Sequence, residues 1–243
     1  MRIALIGHGK MGKELEKAAI AKGHEIVLIV DENNPEALDS IGDTKADVAI
    51  DFTTPGVVLQ NISKCFKGNI PVLVGTTGWY DKLNEVKQKC ISGGYTMMYA
   101  SNFSIGVNIL FEMNKQLAKL MNHQNGYQVS IEEIHHTQKL DSPSGTGITI
   151  AEGIIDKLDG KKRWKETEDI TVIDESEIPI HSKRIGNTIG THIIRYDSEV
   201  DILELKHEAK SRAGFVQGAL AAAEWLRGKK GFYTMKDFLG LSS

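Results

Sequence analysis

Through the first hundred residues, short apolar runs alternate with longer amphipathic stretches, the order expected when strand–helix units build a parallel sheet. Residues 2–6, 26–30, 47–51, 71–74 and 95–99 are the strand candidates, each four or five residues long and most of them rich in Ile, Val and Leu. Such runs suit strands covered on both faces by crossover helices. In the first gap Met11, Leu15, Ala18, Ala19 and Lys22 fall at helical spacing, so the stem of Lys22 extends an apolar stripe and Gly23 closes the helix at its C′ position. After Phe103 the pattern changes. A helix to about residue 121, a strand over 127–134, a polar loop and a helix over 146–158 are followed by runs at 170–173, 187–196 and 200–207 with no clear helix among them. Those runs predict a second domain with a mostly antiparallel sheet. A last helix over 214–227, with Phe215, Val216, Ala219, Leu220, Ala223 and Leu226 at helical spacing, is expected to return to the first domain.

Composition narrows the class. With 243 residues, 41% hydrophobic and 25% charged, the chain reads as a packed protein of one large or two modest domains, with no membrane span. Its 29 basic and 32 acidic residues give a net charge of −3, and the basic ones are spread along the chain, so no nucleic-acid footprint is visible. Cys65 and Cys90 stand in no CxxC and beside no metal-spaced histidine, which suits a reduced, cytoplasmic protein. The apolar run that ends at Gly7 is too short for a signal sequence, so no targeting segment is expected.

Directly after the first strand candidate comes Gly7-His8-Gly9-Lys10-Met11-Gly12, a G-x-G-x-x-G. Gly7 permits the tight turn, Gly9 lets backbone approach a pyrophosphate, and Gly12 lets helix pack on strand, while the helix N-terminus offers unpaired N–H groups. Asp31 stands at the end of the second strand, the spacing expected of the acid that takes a ribose hydroxyl. Together these predict a Rossmann-type dinucleotide-binding domain, an α/β fold with a parallel sheet, joined to an α+β second domain. Two further strand-end loops, Gly75-Thr76-Thr77-Gly78 and Ala100-Ser101-Asn102-Phe103, are placed to line the nicotinamide half of a cleft, although Gly, Thr, Ser and Asn are also ordinary turn residues. Thr54 can cap a helix that begins at Pro55.

The densest chemistry lies in residues 133–147, where His135, His136, Lys139 and the Gly145-Thr146 helix start follow a strand end. Proton donors and an anion-binding helix terminus converge there, which suits a substrate bearing carboxylates. A metal site is the rival reading, but adjacent histidines point to opposite faces of an extended chain and no H-x-x-x-H completes a ligand set, so no metal is expected. A plain polar loop in which Ser144 or Thr146 caps the next helix remains a further alternative.

Glu-x-His-His-x-x-Lys-x-Asp-x-Pro-Ser-Gly-Thr, together with Gly-Thr-Thr-Gly, Asn-Phe-Ser-Ile-Gly-Val-Asn and the N-terminal glycine loop, resembles the 4-hydroxy-tetrahydrodipicolinate reductase (dihydrodipicolinate reductase) family over essentially the whole chain. The resemblance implies that Gly7, His8, Gly9, Lys10, Met11, Gly12, Asp31, Gly75, Thr76, Thr77, Ala100, Ser101, Asn102 and Phe103 hold the cofactor, NADH or NADPH. It implies that His135 and Lys139 are the catalytic proton donors, that His136 contacts substrate, and that Gly145 and Thr146 bind a carboxylate of a cyclic dicarboxylate. It also implies a homotetramer assembled through the sheet of a substrate-binding and oligomerisation domain over residues 104–212, with 1–103 completed by 213–243 as the dinucleotide domain. Lys10 replaces the family's frequent arginine, Glu32 replaces a frequent basic residue, and Thr137 and Gln138 replace a more basic pair, so local charge is lower. Another two-domain dehydrogenase of a small carboxylate or sugar, or a dinucleotide-responsive regulatory module, are the competing functions; the second would need no proton donors.

Overall fold

The computed structural model describes residues 1–168 and 174–241, so the expected strand at 170–173 lies outside the described residues. In chain order the first elements are β1 (Arg2–Ile6), α1 (Lys10–Ala21), β2 (Glu25–Val30), β3 (Val48–Asp51), α2 (Pro55–Lys67), β4 (Val72–Val74), α3 (Leu83–Ser92), β5 (Thr96–Tyr99) and α4 (Ile105–Met121). They are followed by β6 (Gln128–His135), α5 (Gly145–Ile155), β7 (Arg163–Glu166), β8 (Glu177–Arg184), β9 (Thr191–Asp197), β10 (Ile202–Glu208), α6 (Ala213–Leu226), β11 (Gly231–Tyr233) and α7 (Met235–Phe238). A 3₁₀ segment, Pro35–Thr44, lies between β2 and β3. The chain forms two compact units, Met1–Ile105 together with the chain from Ala213 onward, and Gly106–Arg212. No helix among the described residues is long and apolar enough to cross a membrane.

The first unit is a six-stranded sheet in the order β11-β5-β4-β3-β1-β2, parallel throughout. Its central strands are apolar on both faces because both are covered. Ala4, Ile6, Ala49, Val72 and Val74 face Val58, Ile62 and Phe66 of α2 and Val86 of α3. Ile3, Leu5, Ile50 and Leu73 face Leu15 and Ala19 of α1 and Ala219, Leu220 and Ala223 of α6. Each buried Leu or Ile stabilises this packing by about 1.5–3 kcal/mol relative to an exposed one. All five strand candidates of this region are present, and α6 belongs to this unit.

Two local expectations fail. Lys22 is not part of the apolar stripe; it is the residue capping the C-terminus of α1, and its ammonium reaches Glu224 at 3.5 Å. The buried stripe ends at Ala19, and Gly23 follows with φ +77°. Thr54 occupies the N-cap of α2 with Pro55 at the first helical position, but its side chain makes no capping hydrogen bond.

The second unit is a five-stranded sheet in the order β10-β9-β6-β8-β7. β9 runs antiparallel to both β10 and β6, whereas β6–β8 and β8–β7 are parallel pairs. The parallel part comes from strands the apolar pattern did not reveal. The predicted strand at 187–196 starts late, at Thr191, because Gly186 (φ +47°) turns the chain and residues 187–190 form a loop. Along β6 the side chains alternate at period two: Val129 and Ile131 enter a core with Ile178, Ile180, Ile194 and Tyr196, covered by Leu110 and Ala118 of α4 and Ile150 and Ile154 of α5. The same face continues as Glu133 and His135, so the apolar core of this unit gives way to chemistry at the end of the strand.

Candidate functional site

In the first unit, the glycine loop has the geometry its spacing predicts. Gly7 adopts φ +92°, and a Cβ on it would stand 2.2 Å from the Phe52 carbonyl oxygen. A Cβ on Gly12 would stand 2.1 Å from the Gly7 oxygen, so helix and loop touch backbone to backbone. At Gly9 an added Cβ meets nothing within 4 Å. Gly9 is the N-cap of α1, no side chain caps that helix, and no acid stands in its first turn, which holds Lys10 and Lys13. Positive dipole, open backbone and two lysines fit the pyrophosphate of a dinucleotide. His8 turns back along the helix, its Nε2 2.7 Å from Glu16 Oε2. Met11 is half-buried against the α6 side of the sheet. Asp31 follows β2, its Oδ1 accepting from the Asn33 N–H at 2.8 Å while its own N–H donates to Asn34 Oδ1 at 2.7 Å.

The next two loops divide their labour differently from a simple lining. Thr76 is buried, and its hydroxyl donates to Asp51 Oδ1 at 2.7 Å while accepting from the Thr53 N–H at 2.7 Å. Asp51 also accepts from Asn61 Nδ2 at 2.8 Å and Thr53 Oγ1 at 2.8 Å, and burial pushes its carboxyl above the usual range against those bonds. Thr76 thus braces the loop from below, while Thr77 is exposed and Gly75 leaves no room for a Cβ beside the Phe52 ring. Phe103 is core too, packed edge-on against Phe52 at 6.0 Å, and Ala100 is buried; Ser101 is exposed, and Asn102 Oδ1 accepts from the Ser104 N–H at 2.8 Å. Gly218 of α6 approaches so closely that a Cβ would lie 1.8 Å from the Phe103 oxygen, a contact no sequence motif announced.

In the second unit His135, Lys139, Gly145 and Thr146 all belong to one strand–loop–helix segment. Ser144, whose preceding Ser142–Pro143 peptide is cis, is the N-cap of α5 and accepts from the Gly147 N–H at 3.0 Å. An added Cβ on Gly145 would meet nothing within 4 Å, so the helix start is open. Lys139 Nζ donates to both oxygens of Asp141, at 2.7 and 2.8 Å. His136 is half-buried, and its carbonyl accepts from the Lys139 N–H at 3.1 Å.

Three residues that the motif reading did not assign organise this segment. Glu133 is fully buried, accepting from the Ser144 N–H at 2.9 Å and from the Ser144 hydroxyl. Arg184, opposite His135 in the β6–β8 register, lies 3.5 Å from Glu133 Oε1 and donates to the Asp141 carbonyl at 2.7 Å. His192, opposite Glu133 across β6–β9, stacks edge-on with His135 at 5.1 Å. The signal was the period-two alternation: Glu133 follows Val129 and Ile131 on the inward face. Ligand-type atoms of Glu133, His135 and His192 lie within 4.8 Å of one another. The Glu133 oxygens, however, are already engaged by Ser144 and Arg184.

Burial, then the charges of His135, His207 and Lys139, lower the His192 pKa from 6.5 to about 3. Between those values the unfolded chain binds the proton and the folded one does not, so this stability is complete above about pH 6.5 and drains away as pH falls. From pH 6.5 to 5 the loss is about 2 kcal/mol, or a Tm decrease of about 4–8 °C. Thermal melts of wild type and His192→Asn at both pH values check it: equal pH dependence in the two proteins would refute the assignment.

Comparison with known proteins gives one consistent answer. Residues 1–103 match the family model for the dihydrodipicolinate reductase N-terminus and residues 106–239 that for its C-terminus. A 4-hydroxy-tetrahydrodipicolinate reductase from Christiangramia forsetii is 47% identical over 239 residues, covering 98% of both chains. One from Methanoregula boonei is 34% identical, covering 96% of this chain and 92% of the relative. Among solved structures, dipicolinate-bound dihydrodipicolinate reductase from Paenisporosarcina sp. TG-14 superposes with a TM-score of 0.80 at 25% identity over 98% of each chain.

Proposed function

The chain belongs to the dihydrodipicolinate reductase family, and on that footing we propose that His135 and Lys139 deliver the proton and that the head of α5 binds a substrate carboxylate. The reaction is reduction of 4-hydroxy-tetrahydrodipicolinate to tetrahydrodipicolinate, with loss of water, in diaminopimelate and lysine biosynthesis. A nicotinamide dinucleotide supplies the hydride when bound. The protein's part is position, charge and protons. Gly145 and Thr146 open a helix whose N-terminal N–H groups face an anion, and Lys139 and Arg184 set positive charge around it. His136 is the remaining substrate contact in this reading. Asp141 chelates the Lys139 ammonium and so fixes where its proton is offered. The observation that carries the proposal is this convergence of a Ser144-capped helix start with His135 and Lys139 on one segment. A steady-state assay with the cyclised product of pyruvate and aspartate semialdehyde tests it; turnover of another dehydrogenase substrate in its place would overturn it.

Cofactor choice is set by opposing charges. Asp31 accepts from ribose hydroxyls and, with Glu32, repels a 2′-phosphate, whereas Lys10 at the first position of α1 attracts one as a point charge without arginine's fork. Both NADH and NADPH are therefore expected to work, with NADH favoured in kcat/KM by about tenfold. Asp31→Ala should move the ratio toward NADPH, and Lys10→Ala should weaken NADPH more than NADH. An unchanged ratio in Asp31→Ala would remove Asp31 from the ribose site.

The assembly is a homotetramer built through the second sheet. Both helices of that unit pack on one face, while the other presents Ile134, Ile193 and Ile202 among the Glu132–Lys183 and Arg195–Glu204 ion pairs. A sedimenting mass four times the 26.8 kDa chain is expected, and a monomer would refute this assignment. The buried free thiols of Cys65 and Cys90 suit the reducing cytoplasm, and no nucleic-acid, membrane or metal partner is invoked.

A further inference from the structure

Glu133 lies below the substrate segment and outside every motif role given above. Its carboxylate is fully buried, and its bonds run in two directions. Toward α5 it accepts the Ser144 N–H and hydroxyl, and Ser144 Oγ in turn accepts the Gly147 N–H, so the head of the helix hangs from this one side chain. A Cβ on Gly147 would stand 2.4 Å from Glu133 Oε2, so the helix start fits against the carboxylate with no space between. Toward the other side, Glu133 Oε1 lies 3.7 Å from His135 Nδ1, a buried nitrogen with no hydrogen-bond partner. Beside His135 Nε2 the wall is Gly190, where a Cβ would stand 3.3 Å away, so the imidazole is held edge-on between a carboxylate and a glycine.

Bond counting fixes the neighbours. Ser144 Oγ spends its proton on Glu133, so toward His192 Nε2, 3.3 Å away, it can only accept, which puts a proton on Nε2, and burial, by lowering the His192 pKa to about 3, leaves the other nitrogen bare and the ring neutral. His192 therefore cannot neutralise Glu133. The positive charges that do face the carboxylate are the Arg184 guanidinium and, once protonated, His135.

We propose that Glu133 is a positioning residue for the reduction: one buried carboxylate locks the N-cap of α5 and orients His135 by accepting its Nδ1–H, so carboxylate binding and proton delivery share a single anchor. A shift of well under 1 Å brings the 3.7 Å separation to hydrogen-bond length, a tightening common when apo geometry meets its ligand. With Nδ1–H directed at Glu133, the proton released to substrate is the one on Nε2, and the imidazole left behind is the tautomer Glu133 favours. This inference rests on His135 being a proton donor.

The groups acting on His135 oppose one another. Burial lowers its pKa below 6.5, Lys139 and Arg184 lower it further, and Glu133 is the largest influence in the other direction, aided by Asp141; His192 is the neutral neighbour on β9. A donor is active while protonated, so activity falls as pH rises through that pKa. Glu133→Gln keeps the volume and the acceptor for the Ser144 N–H but removes the charge. It should therefore move the alkaline limb of kcat/KM to lower pH by about one unit and reduce kcat at pH 7.5 by about tenfold or more, with Glu133→Asp recovering part of both.

The pH profile is the readout that simple destabilisation would not move. If His135→Ala abolishes activity while Glu133→Gln leaves the limb and kcat unchanged, the positioning role is wrong and the donor assignment stands. If His135→Ala keeps full activity, the donor assignment itself has failed. Should Glu133→Gln not fold, ¹⁵N imidazole spectra of the wild-type enzyme decide, with the His135 signals identified by their loss in His135→Asn. Neutral His135 protonated on Nδ1 is the expected result, and Nδ1 bare with the proton on Nε2 would overturn it.

Discussion

Lys139→Ala is expected to lower kcat by about 10²–10⁴-fold while raising KM far less, the pattern of an interaction made mainly in the transition state. Lys139 is chelated by Asp141 and in the proposed reduction would play two parts, a local positive charge and a proton source. Lys139→Arg separates them. Arginine keeps the charge and the Asp141 pair but does not release a proton near neutrality, so it should restore KM toward wild type and leave kcat low. His135→Ala should show a similar loss, and the double variant less than the product of the two, since groups serving one proton transfer are not additive. Steady-state kinetics at saturating cofactor measure all four proteins; near wild-type kcat in Lys139→Ala would sink the assignment.

The second large effect concerns the glycine loop, where Gly9 and Gly12 should fail in different ways. Gly12→Ala places a methyl 2.1 Å from the Gly7 oxygen, and that oxygen belongs to backbone locked against Phe52. The helix gains about 1 kcal/mol from replacing an interior glycine, but overpacking costs about 1–3 kcal/mol and displaces the loop itself. A Tm decrease of several degrees with a tenfold or greater weakening of NADH is expected. Gly9→Ala meets nothing within 4 Å and has an ordinary negative φ of −72°. Its Tm should stay within about a degree, yet NADH affinity should fall by about tenfold to a hundredfold, or about 1.4–2.7 kcal/mol, because the methyl occupies the approach of the pyrophosphate. Calorimetric titration with NADH checks both, and a Gly9→Ala protein that binds NADH normally would place the pyrophosphate elsewhere.

Sequence and structure agree best where periodicity and spacing report burial directly. β1 to β5 were legible because each is a short apolar run flanked by amphipathic segments, and Gly7, Gly12 and Gly23 because each glycine is demanded by a close approach or a positive φ. β7, Arg163–Glu166, is charged and four residues long, and β8 contains Pro179, a residue that argues against a strand away from an edge. β11 is three residues, Gly-Phe-Tyr, too short for any period to show. In the second unit, the loop proposed to carry the proton donors was visible as a motif, whereas Glu133, Arg184 and His192 come from three different strands and meet only through register. Thr76 and Phe103 stand in loops that spacing marks for ligand, yet their side chains serve the interior, a division that composition alone does not reveal.

The C-terminal return of α6 and β11 has a consequence for how the protein is made. On the ribosome, β1 to β5 emerge first, with Ile3, Leu5, Ile50 and Leu73 still lacking the α6 residues that cover them and with β5 an open edge awaiting β11. About a hundred residues separate the end of β5 from the start of α6, which at roughly 5–20 residues per second is about 5–20 seconds of synthesis. During that interval the nascent chain presents an apolar sheet face and an unpaired strand edge, and this unit closes its core only after α6 and β11 have followed off the ribosome.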